Sequence, residues 1–156
     1  ALSFYNLIPS CILCNSRLKS TAKFSINSHL HPYKDSFNNY AKFKLEILNS
    51  KFFYDETGFD LKLETTNLKA ESIKKDFALE TLYEEHKDIV LELIQKAQIY
   101  NESYIDELYQ KYEGTLFKNR EDVLRHITGG YIEDKDINKR PLSKLIKDIS
   151  EELDLI

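Results

Sequence analysis

Two short segments in which apolar and charged residues alternate place the strongest constraint on how this chain can fold. Their apolar positions are Phe43, Leu45 and Ile47 in the first segment and Phe59, Leu61 and Leu63 in the second. Successive side chains of a strand point to opposite faces, so this period of two predicts two half-buried β-strands. The turn-forming run at 55–58 lies between them, which favours an antiparallel hairpin. One face of that hairpin is apolar and needs a cover.

A helical period follows the hairpin. Apolar residues recur mainly at steps of three and four over residues 73–100, which predicts one amphipathic helix of about seven turns as the cover. Further helices are predicted around 104–112, around 123–127 with a stop at Gly129 and Gly130, and around 142–153 with Pro141 in the first turn. The predicted class is α+β and predominantly α-helical, with the hairpin set against a helical body.

Length and charge bound the organisation of the chain. Its 156 residues, 42% of them hydrophobic, are enough for one compact unit with a substantial core. Residues 1–51 hold seven Lys or Arg against two Asp or Glu, although the net charge of the whole chain is −4. We therefore expect a basic segment at 1–50 and an acidic segment at 51–156, with a soft boundary. Such a division indicates that the basic segment contacts phosphate and the acidic segment contacts a different partner. Two surfaces that are simply solvated explain the division equally well.

The sequence also bears on the compartment. No apolar run is long enough for a transmembrane helix, and residues 1–9 lack the basic start and apolar stretch of a signal peptide. Two closely spaced cysteines are too few to crosslink a secreted domain. We expect a soluble protein of the reducing cytoplasm that makes no membrane contact.

Cys11 and Cys14 form a single C-x-x-C pair, a spacing that lets both thiolates reach one zinc ion. A structural zinc needs two more ligands, and His29 and His31 are the candidates nearby in sequence. Two buried thiols that bind nothing are an alternative. A thioredoxin-like redox role is a weaker one, because nothing before Cys11 supplies the strand and helix that would lower a thiol pKa.

Around these cysteines the sequence resembles a known family. Residues 5–16 (YNLIPSCILCNS), with Lys19 close behind and His31-Pro-Tyr33 after it, are similar to the second half of HNH-type endonucleases encoded beside AAA-type ATPases in bacterial defence modules. Residues 119–123 and 139–149 resemble the helical tail of the same proteins. The resemblance implies that the basic segment is a zinc-knuckle remnant, half of a treble clef.

The resemblance also implies roles for individual residues. Asn6 takes the place of the central Asn of the motif, and Asn15 takes the third motif position, which meets the catalytic metal in the family. Cys11 and Cys14 become the second half of the structural zinc site. The family's first cysteine pair and its Asp-His pair precede the Asn-Leu step, but only five residues precede Asn6 here.

The missing histidine decides the expected activity. Hydrolysis of a phosphodiester by this class needs a divalent ion and a neutral histidine that takes a proton from the attacking water. His31 is a weak substitute, because no carboxylate lies next to His29 or His31 in the sequence to orient the ring. A catalytic metal is therefore expected only if another polypeptide or segment supplies the catalytic half.

Two functions remain open. The first is an HNH nuclease relative that is inactive as this chain, truncated or degenerate, and that contacts nucleic acid through Arg17, Lys19 and Lys23. The second is a non-catalytic interaction module whose acidic body docks on a partner protein such as an ATPase.

Overall fold

A computed structural model describes residues 11–156 of the protein, apart from the side chain of Leu13. The fold is α+β and mainly helical, with one small antiparallel hairpin, as predicted. After a helical turn at Leu13–Leu18, the strands are β1 (Ala41–Ile47) and β2 (Phe59–Thr65). The α-helices within the described residues are α1 (Leu68–Asp76), α2 (Leu79–Glu84), α3 (Lys87–Ile99), α4 (Glu102–Tyr112), α5 (Arg120–Thr128) and α6 (Ser143–Glu152).

The predicted hairpin is confirmed. Its register is set by hydrogen bonds from the Thr66 N–H to the Tyr40 carbonyl and from the Leu48 N–H to the Gly58 carbonyl, each 2.9 Å long. The period of two appears directly in the burial, because Phe43, Phe59, Leu61 and Leu63 are almost fully buried while the charged residues between them are not. The alternation therefore predicted the core-facing side correctly for β2 and for Phe43, but not for the end of β1, where Leu45 is only partly buried and Ile47 is 56% exposed.

Carboxylates occupy the outward edges of both strands. The Phe43 N–H donates to Asp148 at 2.8 Å and the Leu45 N–H donates to Glu152 at 3.0 Å, both on α6. On β2, the Leu63 N–H donates to Glu80 of α2 at 3.0 Å. An unpaired strand edge is a template for aggregation, and these carboxylates cover it.

The single helix predicted over residues 73–100 is wrong. The structure has three helices there, α1, α2 and α3, and Ala78 between the first two has a φ of +47°. That left-handed conformation ends the α-helical ladder although the apolar period continues. The two sides of the break also pack differently: Phe77 lies against Phe24, with ring centroids 5.5 Å apart, while Tyr83 lies against Phe43 at 4.5 Å.

The remaining helices agree with the sequence except at two ends. α4 and α5 are present as predicted, and Gly129 ends α5 with a φ of +81°. Pro141 does not lie in the first turn of α6, because Leu142 has a φ of +61° and the helix begins at Ser143. The short helix expected after the cysteines begins earlier, at Leu13.

Contacts group the chain into two compact units. Unit 1 comprises Ala1–Lys42 and Leu63–Leu82, and unit 2 comprises Phe43–Lys62 and Tyr83–Ile156. The buried residues of unit 2 include Val90, Leu93 and Ile94 of α3 and Leu145 and Ile149 of α6. In the part of the chain that the structure describes, no helix is both long and apolar enough to cross a bilayer.

Candidate functional site

Cys11 and Cys14 lie together at the start of the helical turn. The Asn15 N–H donates to the Cys11 carbonyl at 3.0 Å, and the Lys19 N–H reaches back five residues to the Cys14 carbonyl at 2.8 Å. The Cys14 N–H donates to the Cys11 Sγ at 3.2 Å. The pKa of the Cys14 thiol is raised, first by its hydrogen bond with Cys11 and then by partial burial. The turn therefore presents two thiols to one another, as the C-x-x-C spacing predicts.

These two thiols do not fit a closed zinc site by themselves. Such a site takes four ligands in tetrahedral geometry. Among residues 11–156 no group of three or more His, Cys, Asp or Glu side chains could hold a metal ion. The ten residues before Cys11 contain none of these four residue types. Half of the donors that zinc requires are present, and the structure does not bring His29 or His31 to them.

His29 is held by other partners. Its Nε2 lies 2.9 Å from Oδ2 of Asp76, and its Nδ1 lies 2.8 Å from Oγ of Ser28. The ring stacks on Phe24 with centroids 3.8 Å apart, and the residue is 6% exposed. No carboxylate neighbours this histidine in the sequence, whereas the fold supplies one from 47 residues further along the chain.

This arrangement fixes the histidine rather than opening it to water. Asp76 accepts the Nε2 proton, and in the neutral ring Nδ1 is then the acceptor for the Ser28 hydroxyl. Ser28 is in turn hydrogen-bonded to Ser25, with 2.8 Å between the hydroxyl oxygens. A general base needs a free nitrogen within reach of the proton that it abstracts. Both ring nitrogens of His29 are already used, so these hydrogen bonds serve to join the segment at 24–31 to the end of α1.

His31 has a different surrounding. Its Nδ1 accepts the Tyr33 N–H at 3.2 Å, and its own N–H donates to Asp35 Oδ2 at 2.7 Å. Asp35 therefore closes the backbone turn and does not orient the imidazole. The residue is partly exposed, and its Nε2 is the one histidine nitrogen near the cysteine segment that these hydrogen bonds leave open.

The other predicted positions follow the cysteines in the sequence, except Asn6. Asn15, Arg17 and Lys23 are exposed, and Lys19 is partly buried with its Nζ 5.3 Å from the centre of the Phe24 ring. Asn6 lies outside the described residues, so its place relative to the turn is a sequence prediction only. Two of these three cations, Arg17 and Lys23, are thus exposed within nine residues of Cys14 in the sequence.

Asp76 is the residue that sequence reasoning missed, although the chain contained a signal. It is the last residue of α1, where the partial negative charge of the helix end disfavours a carboxylate. Lys74 and Lys75 are the residue types expected at that end. An acid in this position needs a partner elsewhere, and the buried His29 is that partner.

A polar pocket of about 270 Å³ lies in unit 2, around Tyr131 and the start of α5. Arg125 lies 5.3 Å from the Tyr131 ring and is paired with Asp122 at 3.1 Å. Lys139 lies 5.7 Å from the same ring and is paired with Asp136 at 2.7 Å. Because these cations are neutralised by neighbouring acids, the pocket offers no strong preference for a charged ligand.

Comparison of the chain with models of protein families, with curated proteins and with solved structures finds no match.

Proposed function

We propose that this chain is a nucleic-acid-binding relative of HNH-type nucleases that lacks their catalytic half and is located in the reducing cytoplasm. One observation carries the binding part: Arg17, Lys19 and Lys23 follow the paired cysteines, and no carboxylate of the described residues forms an ion pair with them. Cations without an acidic partner keep their full attraction for phosphate. The motif resemblance of residues 5–16 supports the family part of the proposal.

The contrast with unit 2 strengthens this interpretation of the charges. Ion pairs with neighbouring acids engage Lys87, Lys96, Arg120, Arg125, Lys139, Lys144 and Lys147. Unit 1 holds eight Lys or Arg against five Asp or Glu, whereas unit 2 holds 14 against 21. A polyanion is therefore attracted to the cysteine segment and repelled by unit 2.

The proposal includes no catalysis by this chain alone. No residue in it matches the Asp-His pair of the family, and both nitrogens of His29, which has a carboxylate on its ring, are occupied. Loss of a proton-transfer group lowers the rate by roughly 100- to 10,000-fold. Plasmid and single-stranded DNA should stay intact in Mg²⁺, Mn²⁺ or Ni²⁺. Cleavage that His31→Ala abolishes would instead assign the base to the open Nε2 of that residue.

Salt dependence of DNA binding tests the cation cluster. The triple variant Arg17→Gln, Lys19→Gln, Lys23→Gln should flatten the slope of log affinity against log salt by about 0.9 for each phosphate that it no longer neutralises. Fluorescence anisotropy of a labelled DNA duplex of about 20 base pairs, between about 50 and 200 mM salt, measures it. The matched control removes three exposed cations of unit 2, Lys51, Lys111 and Lys118. Equal slopes for the two variants, or no binding by the unmodified chain, would contradict the proposal.

A second function is favoured by a separate observation. Unit 2 is strongly acidic and exposes a group of large apolar side chains in the loop of the hairpin. A non-catalytic module that docks on a partner protein, such as an ATPase, would have such a surface. The two functions are compatible, because they use different units.

A further inference from the structure

The loop that joins the two strands exposes large apolar side chains in an unusual concentration. We define the hairpin loop as residues 47–54; in it Ile47 is 56% exposed, Leu48 52%, Phe53 42% and Tyr54 68%. Single exposed apolar residues are common and need no explanation. Four within eight consecutive residues form a patch, and exposed apolar patches mark sites of interaction.

The backbone of this loop is closely packed. Gly58 lies so close to it that a Cβ atom there would clash with the backbone nitrogen of Phe52. The N–H groups of Leu48 and Asn49 both donate to the Gly58 carbonyl, at 2.9 and 3.2 Å. The Asn49 side chain accepts the Lys51 N–H at 2.9 Å. Only glycine permits this approach, so the loop has a defined shape.

The exposed aromatic residues are positioned as well. The Gln95 side chain on α3 donates to the Phe53 carbonyl at 3.2 Å, and the rings of Phe52 and Phe53 lie 3.8 Å apart. A side chain held on an ordered backbone loses less conformational freedom when it binds. The hairpin loop therefore presents its apolar surface in a pre-organised form, as aromatic anchors at protein interfaces require.

Acidic groups surround this apolar surface. Glu56 is exposed, Glu46 is exposed and lies 3.7 Å from the Lys62 ammonium, and the Asp55 carboxylate accepts the Thr57 N–H at 2.9 Å and the Thr57 hydroxyl at 2.7 Å. Lys51 is the single cation between residues 46 and 56. The apolar patch thus belongs to a unit with an excess of acids, 21 Asp or Glu against 14 Lys or Arg.

We propose that the hairpin loop is the docking surface for a basic, leucine-rich or aromatic segment of a partner protein. Complementary charge steers such a segment to the loop, and its apolar residues cover Leu48, Phe53 and Tyr54. A second copy of this chain is disfavoured, because two copies meeting at this loop would bring like charges together. An anionic membrane is disfavoured for the same electrostatic reason. The inference gives the partner-docking function a location and does not depend on the nucleic-acid proposal.

The test uses the full chain labelled with ¹⁵N and a defined probe. The probe is a synthetic peptide of about 14 residues, leucine and lysine only, with leucine at helical spacing. Its control replaces every lysine with glutamate. The lysine peptide should shift the backbone amide signals of residues 47–54 in a saturable way, and the glutamate peptide should bind at least about tenfold more weakly.

Variants assign that binding to the loop. The double change Phe53→Ser, Tyr54→Ser removes side chains that are 42% and 68% exposed, so the chain should still unfold cooperatively with a small drop in its thermal midpoint from the lost Phe52–Phe53 contact, while peptide affinity falls about tenfold or more. The matched control is Leu116→Ser, which removes a side chain that is 69% exposed elsewhere in unit 2 and should leave peptide affinity unchanged. DNA binding should be the same in both variants, which separates failure of this inference from failure of the nucleic-acid proposal.

Three results would overturn the inference. The first is undiminished peptide binding by the Phe53→Ser, Tyr54→Ser variant. The second is a dimer of the unmodified chain in analytical ultracentrifugation that this variant abolishes, which would make a second copy the occupant. The third is binding to vesicles of phosphatidylglycerol and phosphatidylcholine that the variant abolishes, which would make a lipid surface the occupant.

Discussion

The carboxylate of Asp148 is expected to be one of the largest single contributors to the stability of unit 2. The residue is 4% exposed, and its Oδ2 accepts the N–H of Phe43 at 2.8 Å. The ammonium of Lys144, whose side chain is 15% exposed, lies 2.7 and 2.9 Å from its two oxygens. The change Asp148→Ala removes the acceptor for both donors at once. A buried peptide N–H and a nearly buried cation then remain without a partner.

The size of the effect follows from that burial. A buried N–H left unsatisfied costs about 1–3 kcal/mol, and breaking a buried ion pair from one side costs about 3–5 kcal/mol. The two costs overlap, because Lys144 can turn its ammonium toward water. We expect Asp148→Ala to lower the free energy of unfolding by about 3 kcal/mol. Asp148→Asn keeps an acceptor for the Phe43 N–H and should cost about 1–2 kcal/mol.

Urea unfolding followed by circular dichroism measures these differences. The matched control is Asp134→Ala, which breaks a 2.6 Å ion pair with Lys147 where the Asp134 side chain is 78% exposed. This pair contributes less than about 1 kcal/mol, because water already solvates the Asp134 carboxylate and Lys147 retains Glu151 as a partner at 3.8 Å. The control therefore breaks an ion pair of the same kind at an exposed rather than a buried carboxylate. If Asp148→Ala cost no more than Asp134→Ala, the argument from burial would be refuted.

Two further predictions concern the core and the alkaline range. Leu93→Ala should lower the free energy of unfolding by about 2–5 kcal/mol, since Leu93 is fully buried. Changing both Cys11 and Cys14 to Ser should lower it little. One tightly held zinc per chain, or a larger loss of stability in the cysteine variant than in Leu93→Ala, would contradict this prediction. Burial and then the charge of Asp148 raise the pKa of Tyr83 above its usual value near 10. Below about pH 10 the hydroxyl is protonated in both the folded and the unfolded state, so it does not make stability depend on pH. Above about pH 10 the unfolded state loses this proton more readily, so stability falls as the pH rises toward and through the folded-state pKa. The loss of stability above that pH should be smaller in Tyr83→Phe, and an identical pH profile in that variant would oppose the assignment.

The hairpin was predictable because its information is local. A period of two requires only neighbouring residues, and the buried positions Phe43, Leu61 and Leu63 follow from it. The partners of the strand edges are not local: Asp148 lies 105 residues from Phe43, and nothing in its helix distinguishes it from other acids beforehand. The break at Ala78 was equally hidden, because alanine is a strong helix former and the apolar period continues past it.

The same distinction applies to the candidate site. The proximity of Cys11 and Cys14 follows from their spacing, and the structure places them together. The state of His29 does not follow from spacing, since its partner Asp76 comes from the end of α1. The sequence made this histidine a candidate zinc ligand beside the two cysteines. The fold instead gives it a carboxylate, a hydroxyl and an aromatic ring as partners, and among residues 11–156 no third ligand joins the cysteine pair.

Net charge alone would have given a misleading picture of the surface of this chain. A total of −4 argues against binding a polyanion, yet the total hides which cations are already neutralised. Arg125 and Lys147 are each held by acids at 3.1 Å or less, so they add little to the field that a distant phosphate experiences. Arg17 and Lys23 have no such partner among the described residues. The proposed attraction of the cysteine segment for nucleic acid therefore depends on the absence of ion-pairing carboxylates among the described residues, which is a property of the folded chain rather than of its composition.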